Sequence, residues 1–274
     1  MTPRPRVCWL FSPIRSGSSI TVYAAGAALG WPVADEVFGP WDRTGPPYHY
    51  PRSHVTLLEA FKASGEKLTP EIAGLADTVF AEVAAGHEPP APGVISKHPH
   101  ASIGPEDVAA HWAAGPTAGL AARPDHRTVV LLRNPIFALN SLFVRGWDEA
   151  TGGGDMLGYF SAIGERWLAD PNRLVYEDFR RDPAAYFGRL LTAWGEEPTP
   201  ARIEAAIAYA AGNYHHSSKS TGGAQPGDAP DAVRSERAWA VPERIVAAYL
   251  ADPLMREVFA AAGWPRERAG YPTA

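Results

Sequence analysis

A chain of 274 residues, 46% hydrophobic and 20% charged, has room for one large α/β domain or two small ones and the make-up of an ordinary globular protein. Its formal net charge of −5 argues against a general nucleic-acid binder, so an anionic ligand would have to meet a local positive cluster. The single cysteine, Cys8, excludes an internal disulfide. No apolar run reaches the ~18 residues of a membrane span and no charged segment leads into an apolar one as in a signal, so a soluble, cytoplasmic chain is expected.

In chain order, the apolar run Val7–Ser12 reads as a buried strand with Cys8 as a core thiol. It passes into Ser12-Pro13-Ile14-Arg15-Ser16-Gly17-Ser18-Ser19 and then a helix over Ser18–Leu29. Helices are predicted over His54–Ala63 and Pro70–Ala85, a strand over Val94–Ser96, a helix over Pro105–Ala113 and a strand over Thr128–Leu132. Helices over Pro135–Arg145 and Asp155–Ala169 precede a strand over Arg173–Tyr176. Four more helices follow, over Asp182–Trp194, Pro200–Ala211, Pro242–Leu250 and Pro253–Ala262. The pairs Thr69-Pro70, Asp182-Pro183, Thr199-Pro200 and Asp252-Pro253 are N-cap signals, a side-chain acceptor followed by a residue with no N–H to satisfy. Short apolar strands alternating with helices predict an α/β fold with a parallel sheet covered on both faces. Two stretches lack a pattern, Gly39–Ser53 and Ser217–Asp231. With no internal repeat and no linker, residues 1–274 are expected to form a single domain.

Three segments carry chemistry. The strand–loop–helix at Ser12–Ser19 is an anion cradle: N–H groups at a helix start and the helix dipole favour negative charge, and Arg15 adds a positive fork. It is not a Walker A loop, because G-x-x-x-x-G-K-[ST] is absent. The second segment, Leu131-Leu132-Arg133-Asn134-Pro135 with Ser141, puts an arginine at a strand's carboxyl end, where α/β proteins bind ligands. A hydroxyl two helical turns further on suits a phosphate. The third, Leu174-Val175-Tyr176-Glu177-Asp178-Phe179, is a strand running into an acidic turn, where Glu177 and Asp178 suit holding loop N–H groups or nearby basic residues.

In order and spacing, from Val7 to Trp194, these segments resemble the signature elements of sulfotransferases that use 3′-phosphoadenosine 5′-phosphosulfate (PAPS). The Pro-x-Arg-Ser-Gly-Ser form is similar to bacterial and carbohydrate-type members, and departs from the eukaryotic cytosolic type, which has Lys where this chain has Arg15. The resemblance implies a three-layer P-loop-like fold. It implies that Arg15, Ser16, Gly17, Ser18 and Ser19 hold the 5′-phosphosulfate, with Arg15 neutralising the leaving oxygen, and that Arg133 and Ser141 hold the 3′-phosphate. Lys219, with Arg234 and Arg237, is a candidate for closing over that phosphate. PAPS is then the co-substrate, no metal is required, and the acceptor is a small molecule, carbohydrate or lipid with a hydroxyl or amine.

In-line sulfuryl transfer needs a base for the acceptor. Glu36 lies in Gly30-Trp31-Pro32-Val33-Ala34-Asp35-Glu36-Val37-Phe38, a place similar to that of a catalytic Glu in bacterial glycolipid sulfotransferases, and Trp31 and Phe38 suggest desolvation of its carboxyl. His98 and His100, in Lys97-His98-Pro99-His100, are the rivals, and Lys97 is a further contact for the sulfonate. The aromatic Gly39–Ser53 stretch is a candidate acceptor lid. A nucleotide kinase with a degenerate phosphate loop and a non-catalytic nucleotide-binding protein of the same fold remain alternatives.

Overall fold

The computed structural model describes residues 4–38, 50–65, 69–99, 123–144, 156–213 and 239–272. The expected helix over Pro105–Ala113, most of the Gly39–Ser53 stretch and all of Ser217–Asp231 lie outside them. The strands are β1 (Arg6–Ser12), β2 (Val33–Asp35), β3 (Gly93–Pro99), β4 (His126–Leu132) and β5 (Leu174–Val175). They form one sheet in the order β2-β3-β1-β4-β5, parallel throughout.

Parallel strands need a crossover between them, and among the described residues these connections are helices, packed on both faces. The side chains of β1 alternate between two cores. Val7, Trp9 and Phe11 point into one, with Phe80, Phe160 and Phe259. Cys8 and Leu10 point into the other, with Val22, Ala25, Tyr186 and Trp194. The helices of the first face are α2 (Ser53–Ala63), α3 (Pro70–Ala85), α4 (Pro135–Phe143), α5 (Met156–Ala169), α9 (Glu243–Ala251) and α10 (Pro253–Ala262). Those of the second are α1 (Ser18–Leu29), α6 (Tyr176–Arg181), α7 (Pro183–Ala193) and α8 (Pro200–Asn213). The result is a three-layer α/β fold, as the alternation predicts. No described helix is long and apolar enough to cross a membrane.

All four predicted N-caps form. Thr69 accepts from Ile72 N–H, Asp182 from Ala185, Thr199 from Arg202 and Asp252 from Met255, each satisfying a helix-start donor.

Three departures from expectation bear on the carboxyl ends of the strands. β2 has three residues between Pro32 and Glu36, too few for a periodicity, and exists because it pairs with β3, Val33 against Ile95 and Asp35 against Lys97. β3 runs on through Lys97 to Pro99 because β1 pairs alongside it, Leu10 against Lys97 and Ser12 against Pro99. Pro99 is tolerated as the last strand residue. Tyr176 leaves the strand to open α6, whose first turn carries Glu177 and Asp178, charges favoured at a helix N-terminus.

A Cβ on Gly93, at the start of β3, would come within 2.3 Å of the Trp31 ring. Gly93→Ala is expected to cost about 1–3 kcal/mol by overpacking, read as a lower urea midpoint; an unchanged midpoint would refute the tight contact.

Candidate functional site

The chain leaves β1 into α1 on one face and leaves β4 into α4 on the other. Loops that diverge in this way open a crevice at the carboxyl ends of the two strands, the usual ligand position in such sheets. Arg15 and Arg133 stand in these two loops.

The β1–α1 loop is held in a bent shape. Arg15 and Gly17 both have left-handed backbone, with φ of 62° and 77°. Gly17 is required twice over, because a Cβ there would come within 2.0 Å of the Tyr176 ring. Ile14 N–H donates to the Tyr159 hydroxyl at 3.0 Å, and Thr21 Oγ1 donates to Gly17 carbonyl at 3.1 Å, so the loop is tied to α5 and to the first turn of α1. Within it the hydroxyls of Ser12 and Ser16 are fully buried and have no hydrogen-bond partner among the described residues. Native interiors seldom leave such groups unsatisfied.

Arg15 and Arg133 meet. Arg133 donates to the Arg15 carbonyl at 3.1 Å, and Arg15 Nε donates to Ser141 Oγ, near the end of α4, at 3.1 Å. The Arg133 guanidinium lies over the Tyr176 ring, 5.3 Å from its centroid. Arg133 is 9% exposed and, among the described residues, forms no ion pair. One of its five N–H donors has an acceptor there. The nearby carboxylate, Glu177, is already occupied: Oε1 accepts from Asn134 N–H at 3.0 Å and Oε2 from Trp264 Nε1 at 3.2 Å. Burial pushes the Glu177 carboxyl up from its ordinary value, against the pull of those donors and of Arg133. Glu177 thus holds the β4–α4 loop, while Asp178 pairs with Arg181 and Arg189 at the surface.

A second cluster surrounds Lys97, near the end of β3. Its ammonium is 2.8 Å from Ser19 Oγ, 3.0 Å from Glu36 Oε1 and 3.3 Å from Asp35 Oδ1. Burial, the largest single influence, pulls the Lys97 ammonium down, but the Asp35 and Glu36 carboxylates together outweigh it and leave it above its ordinary value. Glu36 also has left-handed backbone, φ 56°, and its N–H donates to the Lys97 carbonyl at 3.1 Å. Both ends of Glu36 are therefore fixed to one residue.

The structure brings Arg15, Ser16, Gly17, Ser18 and Ser19 to the loop and helix start, with Arg133 and Ser141 beside them and Glu36 joined to Ser19 through Lys97. The surroundings of Glu36 differ from the expected apolar ones. Trp31 rests on Gly93 at the opposite end of β3, Phe38 packs on Phe61, and the neighbour of the carboxylate is an ammonium. His98 lies in β3 with its backbone in register with Phe11. His100, Lys219, Arg234 and Arg237 lie outside the described residues. Tyr176, Tyr159 and Asp35 are site residues that sequence reasoning missed. The Tyr-Glu-Asp segment pointed to the first, whereas nothing local marks the other two. No metal-ligating cluster occurs among the described residues.

No family model matches the chain, and no curated protein matches it. Among solved structures it is similar to a sulfotransferase domain of the curacin biosynthetic pathway, at 13% identity and TM-score 0.46, covering 95% of this chain and 98% of that one. A sulfotransferase from Alicyclobacillus acidocaldarius matches at 13% identity and TM-score 0.44, covering 98% and 99%. One from Mycobacterium avium matches at 14% and 0.42, covering 95% and 76%. All three are sulfotransferases.

The Lys97 cluster sets a pH dependence. A raised folded-state pKa means that the ion pairs contribute fully below the ordinary lysine value of about 10.4 and lose that contribution as pH rises through the higher folded value. Lys97→Met is expected to cost about 3–5 kcal/mol at pH 7. Its deficit against wild type should shrink in strongly alkaline solution. Urea unfolding at pH 7 and pH 11 reads both, and equal deficits at the two would refute the ion-pair account.

Proposed function

We propose that this chain is a PAPS-dependent sulfotransferase, residues 1–274 forming one domain, that moves a sulfuryl group to a hydroxyl or amine of a small-molecule, carbohydrate or lipid acceptor. The carrying observation is Arg133: a buried guanidinium with donors to spare, no ion pair among the described residues, and a hydrogen bond to the loop that bears Arg15. Two arginines and the unsatisfied hydroxyls of Ser12 and Ser16 call for an anion with several oxygens at two places, which a nucleotide bearing a 3′-phosphate and a 5′-phosphosulfate supplies. The motif resemblance assigns the same residues to those two ends.

In this reading Arg15, Ser16, Gly17, Ser18 and Ser19 hold the 5′ end and Arg133 with Ser141 the 3′-phosphate. The acceptor oxygen or nitrogen bonds to sulfur as the bond from sulfur to the 5′-phosphate oxygen breaks, its electron pair leaving with adenosine 3′,5′-bisphosphate. Arg15 offsets the charge that grows on that oxygen. Glu36, joined through Lys97 to the helix bearing the cradle, takes the acceptor proton. A cytoplasmic location without a metal requirement belongs to the same reading. A kinase of similar fold would hold Mg²⁺ and place a lysine in the phosphate loop, and this loop has Arg15.

Equilibrium binding without Mg²⁺ is expected to show affinity for PAPS and adenosine 3′,5′-bisphosphate and little for ATP. Preference for Mg²⁺-ATP would establish the kinase instead. Arg133→Ala should weaken PAPS binding by about 2–4 kcal/mol, since it removes a buried charged partner; unchanged affinity would reject its role.

Glu36→Gln is expected to lower turnover while PAPS affinity stays within about twofold. If it retains full activity and His98→Ala does not, the proton passes to His98.

A further inference from the structure

Lys97 has three N–H donors and three oxygens around it, on Ser19, Glu36 and Asp35. Ser19 stands on α1 beside the loop and Glu36 is the proposed base, so each has a place in the reaction. Asp35 has none as yet. It is 3% exposed, too enclosed to meet an acceptor. It faces Lys97 directly across the β2–β3 pairing. Its Oδ2 accepts from the Tyr23 hydroxyl at 3.3 Å, and its carbonyl accepts from the Tyr50 hydroxyl at 2.9 Å. Both groups fix it from outside the sheet.

We propose that Asp35 is a positioning residue for sulfuryl transfer, a permanent counter-charge that holds Lys97 in place while Glu36 changes its protonation. The inference rests on the sulfotransferase reading. With the acceptor O–H intact, Lys97 is shared between two carboxylates and the three groups sum to −1. When the acceptor oxygen bonds to sulfur and its proton passes to Glu36, the sum becomes zero, because Asp35 still balances Lys97. Without Asp35 the same step would take a neutral pair to a lone buried ammonium, a state that burial penalises. The charge on Asp35 therefore favours the transfer step and contributes little to holding the donor, which Arg15 and Arg133 do from the β1–β4 side. The direction of the Lys97 shift, upward in spite of burial, agrees with two carboxylates acting on it at once.

Steady-state kinetics of Asp35→Asn with PAPS and a competent acceptor separate this role from a structural one. The expected result is a kcat lower by roughly ten- to hundredfold, the scale of impaired general-base catalysis. KM for PAPS and Kd for adenosine 3′,5′-bisphosphate should stay within about twofold. Unchanged kcat, or donor affinity falling in step with kcat, would overturn the proposal. Asp35→Glu, which keeps the charge, should recover most of the loss; failure to recover would also count against it. If Asp35→Asn does not fold, the wild-type chain decides. With ¹³C-labelled lysine, the Lys97 ε-carbon should titrate above the ordinary value of about 10.4, and a midpoint below it would overturn the shared ion pair. Absence of PAPS binding and of sulfuryl transfer in wild type would sink the sulfotransferase reading separately, while the Lys97 titration would still decide whether Asp35 holds the ammonium.

Discussion

The hydrogen bond from Arg133 to the carbonyl of Arg15 joins the two loops that leave the sheet in opposite directions, and the rest of the site is arranged about it. The carbonyl it reaches belongs to a residue with left-handed backbone, a conformation that L-residues adopt at a cost. Gly17, also left-handed, completes the bend and lets the loop lie against Tyr176. Tyr176 in turn carries the Arg133 guanidinium on its ring. Loop, ring and guanidinium thus limit one another, and the loop's shape is set by these contacts; in the proposed reaction such preorganisation would lower the ordering cost of binding the donor.

A second constraint comes from strand register. Parallel pairing sets Asp35 opposite Lys97 and Lys97 opposite Leu10, so a charged residue near a strand end lies beside both an edge strand and the strand that feeds the cradle. The acidic residues at the end of β2 bring the compensating charge. Buried ions are costly unless paired, which accounts for the Glu36 carboxylate on the Lys97 ammonium, while the backbone bond from Glu36 N–H to the Lys97 carbonyl holds the turn. It also sets the proposed base next to a cation. Arg15 and Glu36, both with left-handed backbone, are the residues that the proposed reaction sets at the leaving oxygen and at the acceptor proton, in keeping with the clustering of backbone strain at functional sites.

Much of this was legible in the sequence wherever the signal is local. A cap needs only an acceptor and a following proline, and Thr69, Asp182, Thr199 and Asp252 all act as read. β1 and β4 are buried on both faces and announce themselves as apolar runs, and the Gly-containing turn after β1 marks the cradle. What escaped is what needs a partner. Val33–Asp35 carries no periodicity and becomes a strand only against β3. Tyr159 serves the cradle from a helix nearly 150 residues away, through a hydroxyl on Ile14 N–H. The neighbour of Glu36 could not be inferred from Trp31 and Phe38, because β2 carries Trp31 to the other end of the strand, against Gly93, and Lys97 comes from a strand distant in sequence.

The two clusters divide the work by charge type. The Arg15–Arg133 side carries guanidiniums, planar and permanently charged, suited to phosphate oxygens and indifferent to pH over the working range. The Lys97 side pairs an ammonium with two carboxylates, of which Glu36 is the one proposed to exchange a proton with an acceptor. In the proposed reaction donor binding and proton removal therefore lie on opposite sides of β1, linked by Ser19, which stands on the helix that begins at the cradle and touches the ammonium. A substitution at Arg133 should act on donor affinity and one at Glu36 or Asp35 on turnover. That division follows from the order of the strands: β1 lies in the middle of the sheet, with β3 to one side and β4 to the other.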